Sequence, residues 1–254
     1  MAAEVGNMRR VMSIAHRGYA AVAPENTLAA FSKALECGPD YIECDVRRTK
    51  DGHIIISHDG TVDRCTNGSG KVADLTLDEL RALDAGSRFG REFAGEKLPT
   101  LEEYLDLLRG KSRPQIELKE EGLEEDVVAM VRERGMSEQT MIISFHYSVG
   151  LRMHELDEGI GIGALKGIGH PASEEEAVQL ADEAASVNAD VFAVNYHDIT
   201  PALVRATHAA NMKMAGWTID SPDDMRKWAE MGLDVITSND IRLLNRVLAE
   251  MGMR

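Results

Sequence analysis

One short apolar run, Ile14-Ala15, ends in His16-Arg17-Gly18: a base, a cation and a turn residue in succession. His16 is of the one side-chain type that ordinarily titrates near neutral pH. Arg17 carries a planar, permanently charged fork suited to phosphate or carboxylate. Gly18 lets the backbone turn sharply and approach a ligand closely. A second run, Ile42-Glu43-Cys44-Asp45-Val46, spaces two carboxylates two residues apart. In a strand such residues share a face, so Glu43 and Asp45 point one way and Cys44 the other. A third run, Gln115-Ile116-Glu117-Leu118-Lys119, repeats the spacing with Glu117 and Lys119. His58-Asp59 and Trp217-Thr218 end two further runs.

Carboxylates gathered on an inward face are costly unless something cationic joins them. Three of them, Glu43, Asp45 and Glu117, suit one hard divalent cation with oxygen ligands, Mg²⁺ or Ca²⁺ rather than Zn²⁺. Arg17 and Lys119 supply the other half of an anion site, and an anion bridged by metal, Arg and Lys would be a phosphate. His16 and His58 suit a general acid/base pair. Lys119 also admits a Schiff-base reading, which three neighbouring carboxylates disfavour. Trp217, by type alone, is a core residue. His53, His146, His154, His170, His197 and His208 show no partner pattern and read as structural. His146 and His197 each directly follow a strand end and fit that reading least well.

Something must bring these residues together. Strand patterns fall near 11–15, 41–46, 114–118, 140–144, 160–164, 190–194, 213–217 and 234–237. They are short and mostly apolar, as strands buried on both faces are. Helical patterns follow at 25–37, 100–109, 122–134, 147–156, 174–186, 200–210, 222–231 and 240–251, several opened by Ser or Thr at Ser173, Thr200 and Ser221. Eight strand–helix units predict a (β/α)₈ TIM barrel, with active residues at the C-terminal strand ends. A doubly wound open sheet is the alternative, but the chain has no Gly-x-Gly-x-x-Gly fingerprint. One segment breaks the rhythm. After Asp51-Gly52 a strand over 53–57 runs back, and 60–99 is polar and Gly-dotted with a helical piece at 77–82. We read 1–254 as a single domain, with about 47–99 a small insertion after the second strand, placed as a lid over the barrel mouth.

The net charge of −15 disfavours nucleic acid and anionic membranes as partners. Cys37, Cys44 and Cys65 are sparse, odd in number and not at metal spacing, as in a reducing compartment. Residues 1–10 carry no apolar leader and no later run would span a bilayer, so a cytoplasmic protein without stable membrane association is expected. The sequence leaves a homodimer open.

Taken in order, His16-Arg17-Gly18, Pro24-Glu25-Asn26-Thr27, Glu43-Cys44-Asp45-Val46, Thr49-Lys50-Asp51-Gly52, His58-Asp59, Arg64-Cys65-Thr66, Leu98-Pro99-Thr100-Leu101, Glu117-Leu118-Lys119 and Gly216-Trp217-Thr218 form a pattern. It resembles the glycerophosphodiester phosphodiesterase family and spans nearly the whole chain. Cys44, where the family often has an apolar residue, and Ser238-Asn239-Asp240 depart slightly from it. The resemblance implies a TIM barrel with an insertion after the second strand. It also implies metal ligation by Glu43, Asp45 and Glu117, acid/base roles for His16 and His58, phosphate contacts from Arg17 and Lys119, and an apolar wall at Trp217. The implied reaction converts a small glycerophosphodiester to sn-glycerol 3-phosphate and an alcohol. Two rivals are a phospholipase-type phosphodiesterase on intact lipid and a non-catalytic phosphodiester-binding barrel. The first needs an apolar or basic rim; the second predicts a missing histidine or carboxylate, and none is missing.

Overall fold

Eight parallel strands hydrogen-bond side to side until the last meets the first. They are β1 (Met12–Ala15), β2 (Tyr41–Arg48), β4 (Arg113–Leu118), β5 (Met141–Ser144), β6 (Gly161–Lys166), β7 (Val191–Asn195), β8 (Lys213–Trp217) and β9 (Val235–Ser238). β1 pairs with both β2 and β9, which closes the ring. The short β3 (Ile54–Ile56) lies outside it, antiparallel to β2. This is the expected TIM barrel. The computed structural model describes residues 9–254; the first eight residues, part of the stretch read above as lacking a leader, lie outside the described residues.

The helices between ring strands are α1 (Leu28–Leu35), α3 (Leu101–Leu108), α4 (Glu124–Glu133), α5 (Tyr147–Leu156), α6 (Glu174–Ala185), α7 (Pro201–Ala209) and α8 (Pro222–Met231), with α9 (Ile241–Glu250) after the last; α2 (Leu77–Ala82) lies in the excursion. Their starts follow the cap chemistry. Ser173 with Glu176 and Thr100 with Glu103 form capping boxes. Thr200 and Ser221 each cap a helix that begins with proline.

Inside the ring, Ile14, Met141, Ile143, Leu165, Val191, Ala193, Ala215 and Val235 pack on one another. A larger cluster between strands and helices includes Phe31, Tyr104, Ile116 and Phe192. Gly163 faces inward: a Cβ there would stand 2.7 Å from Ile143 Cγ2.

The first helix begins three residues later than its pattern predicts. The expected helix over 25–37 starts at Leu28, and residues 24–27 form a turn. Asn26 is left-handed (φ 58°) and its N–H donates to Arg17 O at 3.0 Å. Thr27, in extended backbone, then caps α1 through Ala30 N–H.

The segment after β3 carries an apolar cluster of its own: Ile55, Val62, Val72, Leu80, Ala85 and Leu98. The polarity of 60–99 hides it, because these residues follow no single period. Ile54 and Ile56 face the main cluster while Ile55 faces this smaller one.

Candidate active site

The site is built where β1, β2 and β4 end. Asp45 and Glu117 are direct partners across β2 and β4, as are Glu43 and Gln115. The shared register puts the three carboxylates on one face. Each offers an oxygen within 4.8 Å of the others, and all three are buried, at 2 %, 1 % and 8 % exposure for Glu43, Asp45 and Glu117.

Two cations face them. Lys119 Nζ donates to Glu117 Oε1 at 2.7 Å and lies 3.1 Å from Asp45 Oδ1. Arg17 Nε lies 3.3 Å from Asp45 Oδ2, and the Arg17 backbone N–H donates to Glu43 Oε2 at 2.7 Å. That backbone bond requires the turn read from Gly18. Arg17 and Gly18 are both left-handed, at φ 55° and 83°, and a Cβ on Gly18 would meet Ala30 backbone carbon at 2.7 Å. Asn26 Nδ2 completes the Asp45 environment, donating to Oδ2 at 2.8 Å.

The electrostatics are uneven. Burial and the neighbouring Asp45 push Glu43 well above the usual carboxylate range. Burial and Asp45 likewise raise Glu117 to about 7, against the pull of Lys119. Burial also pushes Asp45 up, but Lys119, Arg17, His58 and Asn26 outweigh it and hold Asp45 at about 2. Three buried carboxylates therefore share two cations, and the charge is incompletely balanced. A divalent cation fits this donor set: hard, oxygen-only, and short of positive charge.

Both histidines are oriented by their Nδ1 atoms. His58 Nδ1 is 2.7 Å from Asp59 Oδ1; a carboxylate only accepts, so Nδ1 carries the proton. His16 Nδ1 is 2.8 Å from Asn239 Oδ1. Asn239 Nδ2 donates to Asp220 Oδ2 at 2.7 Å, which fixes the amide with its oxygen toward His16. Both rings thus keep Nε2 free of the proton. Burial, then Arg17, lowers His16 to about 4, and burial lowers His58. The His58 carbonyl accepts from Arg47 Nε and Nη2 at 3.1 and 2.9 Å.

A cavity of about 230 Å³ is lined by His16, Arg17, Glu43, His58, Glu117, Lys119 and Trp217. Asp45 does not line it and sits behind, between the two cations. Trp217 stacks edge-on with Phe145, ring centres 6.0 Å apart, and Ile14, Ile143, Leu165, Val191, Ala193 and Ala215 complete an apolar wall.

The profile of the Glycerophosphoryl diester phosphodiesterase family matches residues 16–243. The chain belongs to that family. It is 39 % identical to the glycerophosphodiester phosphodiesterase of Caldanaerobacter subterraneus subsp. tengcongensis, over 94 % of this chain and 98 % of the relative. A glycerophosphodiester phosphodiesterase from Agrobacterium tumefaciens superposes with TM-score 0.80 at 30 % identity, covering 93 % of this chain and 99 % of the other. A phosphodiesterase from Oleispira antarctica, solved with the product sn-glycerol-3-phosphate, gives TM-score 0.82 at 28 % identity over 94 % and 96 % of the two chains. The chain is an enzyme, a phosphoric diester hydrolase of this family. Among the described residues no helix is long and apolar enough to cross a membrane.

Asn26, Asn239, Glu25, Asp59 and Arg64 were not singled out for a role, although all five lie in or beside motifs quoted for the family. Of the six histidines read as structural, His208 pairs with Asp234 at 2.7 Å, before β9 and away from the mouth. His146 lines a second cavity with His58 and Lys119, so it borders the site. Its being a strand-end residue was the available signal.

Proposed function

We propose that the enzyme hydrolyses small, water-soluble glycerophosphodiesters to sn-glycerol 3-phosphate and an alcohol. The observation that carries this reading is the buried Glu43–Asp45–Glu117 cluster, flanked by Arg17 and Lys119 in a cavity that both His16 and His58 enter. Glu43, Asp45 and Glu117 would hold one Mg²⁺ or Ca²⁺. When bound, that ion would polarise the phosphate and make a hydroxyl near it more acidic. Arg17 and Lys119 grip the non-bridging phosphate oxygens. His16 and His58 move the protons at Nε2: one, neutral, accepts from the attacking hydroxyl, and the other, having first taken up a proton from solvent at Nε2, donates it to the departing alcohol. Trp217 walls the cavity against the carbon skeleton.

Residues 47–99 belong on this reading to the same single domain, as an insertion that screens what enters. We place the enzyme in the cytoplasm, in keeping with three cysteines that form no disulfide.

The test is a coupled assay for released sn-glycerol 3-phosphate. Glycerophosphodiesters with several headgroups are supplied with and without chelator, beside vesicles of intact phospholipid. Release from the soluble diesters that stops on chelation supports the reading. Turnover of vesicle lipid alone would favour the phospholipase. Tight binding without release would leave only a binding barrel.

A further inference from the structure

Arg64 lies in the excursion, outside the barrel and outside every role assigned above. Its guanidinium nevertheless joins two loops of the site, the turn after β1 and the turn after β3. Nη1 and Nη2 donate to both oxygens of Glu25, at 2.9 and 2.8 Å, and Nε donates to Asp59 Oδ2 at 2.6 Å. Glu25 Oε1 also accepts from Arg17 Nη1 at 2.8 Å. Asp59, through its other oxygen, accepts from His58 Nδ1 at 2.7 Å. One planar fork therefore sets a carboxylate that aims the phosphate-gripping arginine and a carboxylate that aims a catalytic histidine.

The carboxylates respond to it. Arg64, against the opposing effect of burial, is the main reason that Asp59 is held at about 2. Glu25 is likewise held at about 2: burial pushes it up, and Arg64 with Arg17 outweighs burial. Both are therefore anions near neutral pH. Arg64 is itself braced from the excursion, where Arg88 Nη1 reaches the carbonyls of Asp63 and Arg64. The Arg64 side chain is 47 % exposed, and an ion pair with that exposure adds little to stability. Its consequence is geometric, because a guanidinium presents donors in a rigid fork that fixes directions as well as charge.

We propose that Arg64 is a positioning residue that aligns Arg17 through Glu25 and His58 through Asp59, so that the excursion completes the catalytic geometry as well as covering it. This inference rests on the phosphodiesterase reading for the roles of Arg17 and His58. Lysine cannot replace the fork: it reaches one carboxylate as a point charge and leaves the other loose.

The experiment compares wild type, Arg64→Ala, Arg64→Lys, Asp59→Asn and the double variant Arg64→Ala/Asp59→Asn. Arg64→Ala should lower kcat/KM at least fivefold, with KM raised as Arg17 loosens and kcat lowered as His58 loosens. Its thermal midpoint should fall by no more than a few degrees, the part of the Glu25 ion pairing that Arg64 supplies. Guanidinium chloride at tens of millimolar should restore a good part of the loss, and Arg64→Lys should recover less than half of it. The double variant should lose little beyond the worse single one, since Asp59 and Arg64 act on His58 as a unit. Apart from activity, proton–nitrogen correlation spectra of the imidazoles should show His58 as one tautomer in wild type and as a mixture in Arg64→Ala. A kcat/KM loss under fivefold, or an unchanged His58 tautomer, overturns the proposal. If Arg64→Ala does not fold, Arg64→Lys decides by the same two readouts. A wild type that releases no sn-glycerol 3-phosphate sinks the phosphodiesterase reading instead, and the tautomer comparison still decides whether Arg64 sets His58.

Discussion

Asp45 and Glu117 stand opposite one another on adjacent parallel strands, with Lys119 Nζ 3.1 Å from the first and 2.7 Å from the second. The lysine is thus the shared counter-charge of two buried acids, as well as a candidate phosphate contact. Replacing it by methionine should act twice. Catalysis should lose about 2–4 kcal/mol of transition-state stabilisation, by analogy with donors to a developing oxyanion. Stability in chelator should fall by roughly 3 kcal/mol, because breaking a buried pair strands the remaining charge. Adding Mg²⁺ or Ca²⁺ should recover most of the stability and little of the activity. Thermal melts and initial rates of Lys119→Met, with and without metal, read the two effects separately. Borohydride trapping with a carbonyl compound should give no adduct; an adduct would revive the Schiff-base reading.

Metal binding should itself be visible as stability. An ion that binds the folded form at a hundred times its Kd adds about 2.7 kcal/mol. For a chain of this size that raises the melting midpoint by roughly 5 °C or more. Glu43→Gln and Asp45→Asn should lose this metal-dependent rise together with activity. A full rise in Glu43→Gln would place the ion elsewhere.

The clustering of the three carboxylates with Lys119 is legible in the sequence, for a definite reason. Strand periodicity puts residues i and i+2 on one face, so Glu43 with Asp45 and Glu117 with Lys119 could be paired from spacing alone. The positioning shell was not legible in that way. Arg64 meets Glu25 across 39 residues of chain, in a polar segment with no period to follow. Asn26 reaches Asp45 from a left-handed position of its own in the turn over 24–27, where the composition suggests the start of a helix. Asn239 takes its meaning from Asp220, which orients its amide toward His16. The core under 60–99 is likewise hidden in the sequence, since Val62, Val72, Leu80 and Leu98 come from separate pieces of a polar segment and meet only when the chain folds back on Ile55.

That small core supplies a test of the excursion. Leu80 is fully buried in it. Leu80→Ala should cost about 2–5 kcal/mol of local packing. Because the cluster is separate from the main one, the loss should open 60–99 before the barrel melts. Limited proteolysis should then cut this segment while the barrel fragment stays resistant. Loss of the whole chain at one rate would show that both clusters melt together.

The Glu25 carboxyl gives a pH dependence with a definite sign. Burial pushes it up from 4.5, but Arg64 and Arg17 hold it at about 2. A depressed carboxyl contributes stability that is fully present above its unfolded value. That contribution is lost as pH falls from about 4.5 through about 2. The carboxylate is a quarter exposed, so screening reduces the effect to about 1–2 kcal/mol. Glu25→Gln should therefore be less stable than wild type by that amount at pH 7, and the gap should close toward pH 2–3. Urea midpoints at the two pH values read it. A gap that persists at low pH would mean that packing, and not charge, is what Glu25 contributes.

The order of bond-making is the last expectation. A glycerophosphodiester carries a hydroxyl on the carbon next to the phosphorylated one. Tethered in this way, it attacks phosphorus with the high effective concentration of an intramolecular nucleophile. Two histidines with free Nε2 atoms suit that route. One, neutral, would take the hydroxyl proton, and the other, loaded beforehand with a solvent proton at Nε2, would protonate the departing alcohol, so a P–O bond forms to the neighbouring oxygen as the P–O bond to the headgroup breaks. The product is a cyclic glycerol phosphate. The pair then exchanges roles: water loses a proton, attacks phosphorus and opens the ring, and the ring oxygen is protonated, giving sn-glycerol 3-phosphate. On this route Arg17 and Lys119 would hold the phosphate throughout, since neither needs the hydroxyl. An analogue with hydrogen in place of that hydroxyl should accordingly bind as a competitive inhibitor, with an inhibition constant near the substrate's KM, and should not turn over. Phosphorus NMR on the natural substrate should show the cyclic ester before the monoester accumulates. Cleavage of the deoxy analogue at the normal rate would mean direct attack by water, and the tethered route would have to be dropped.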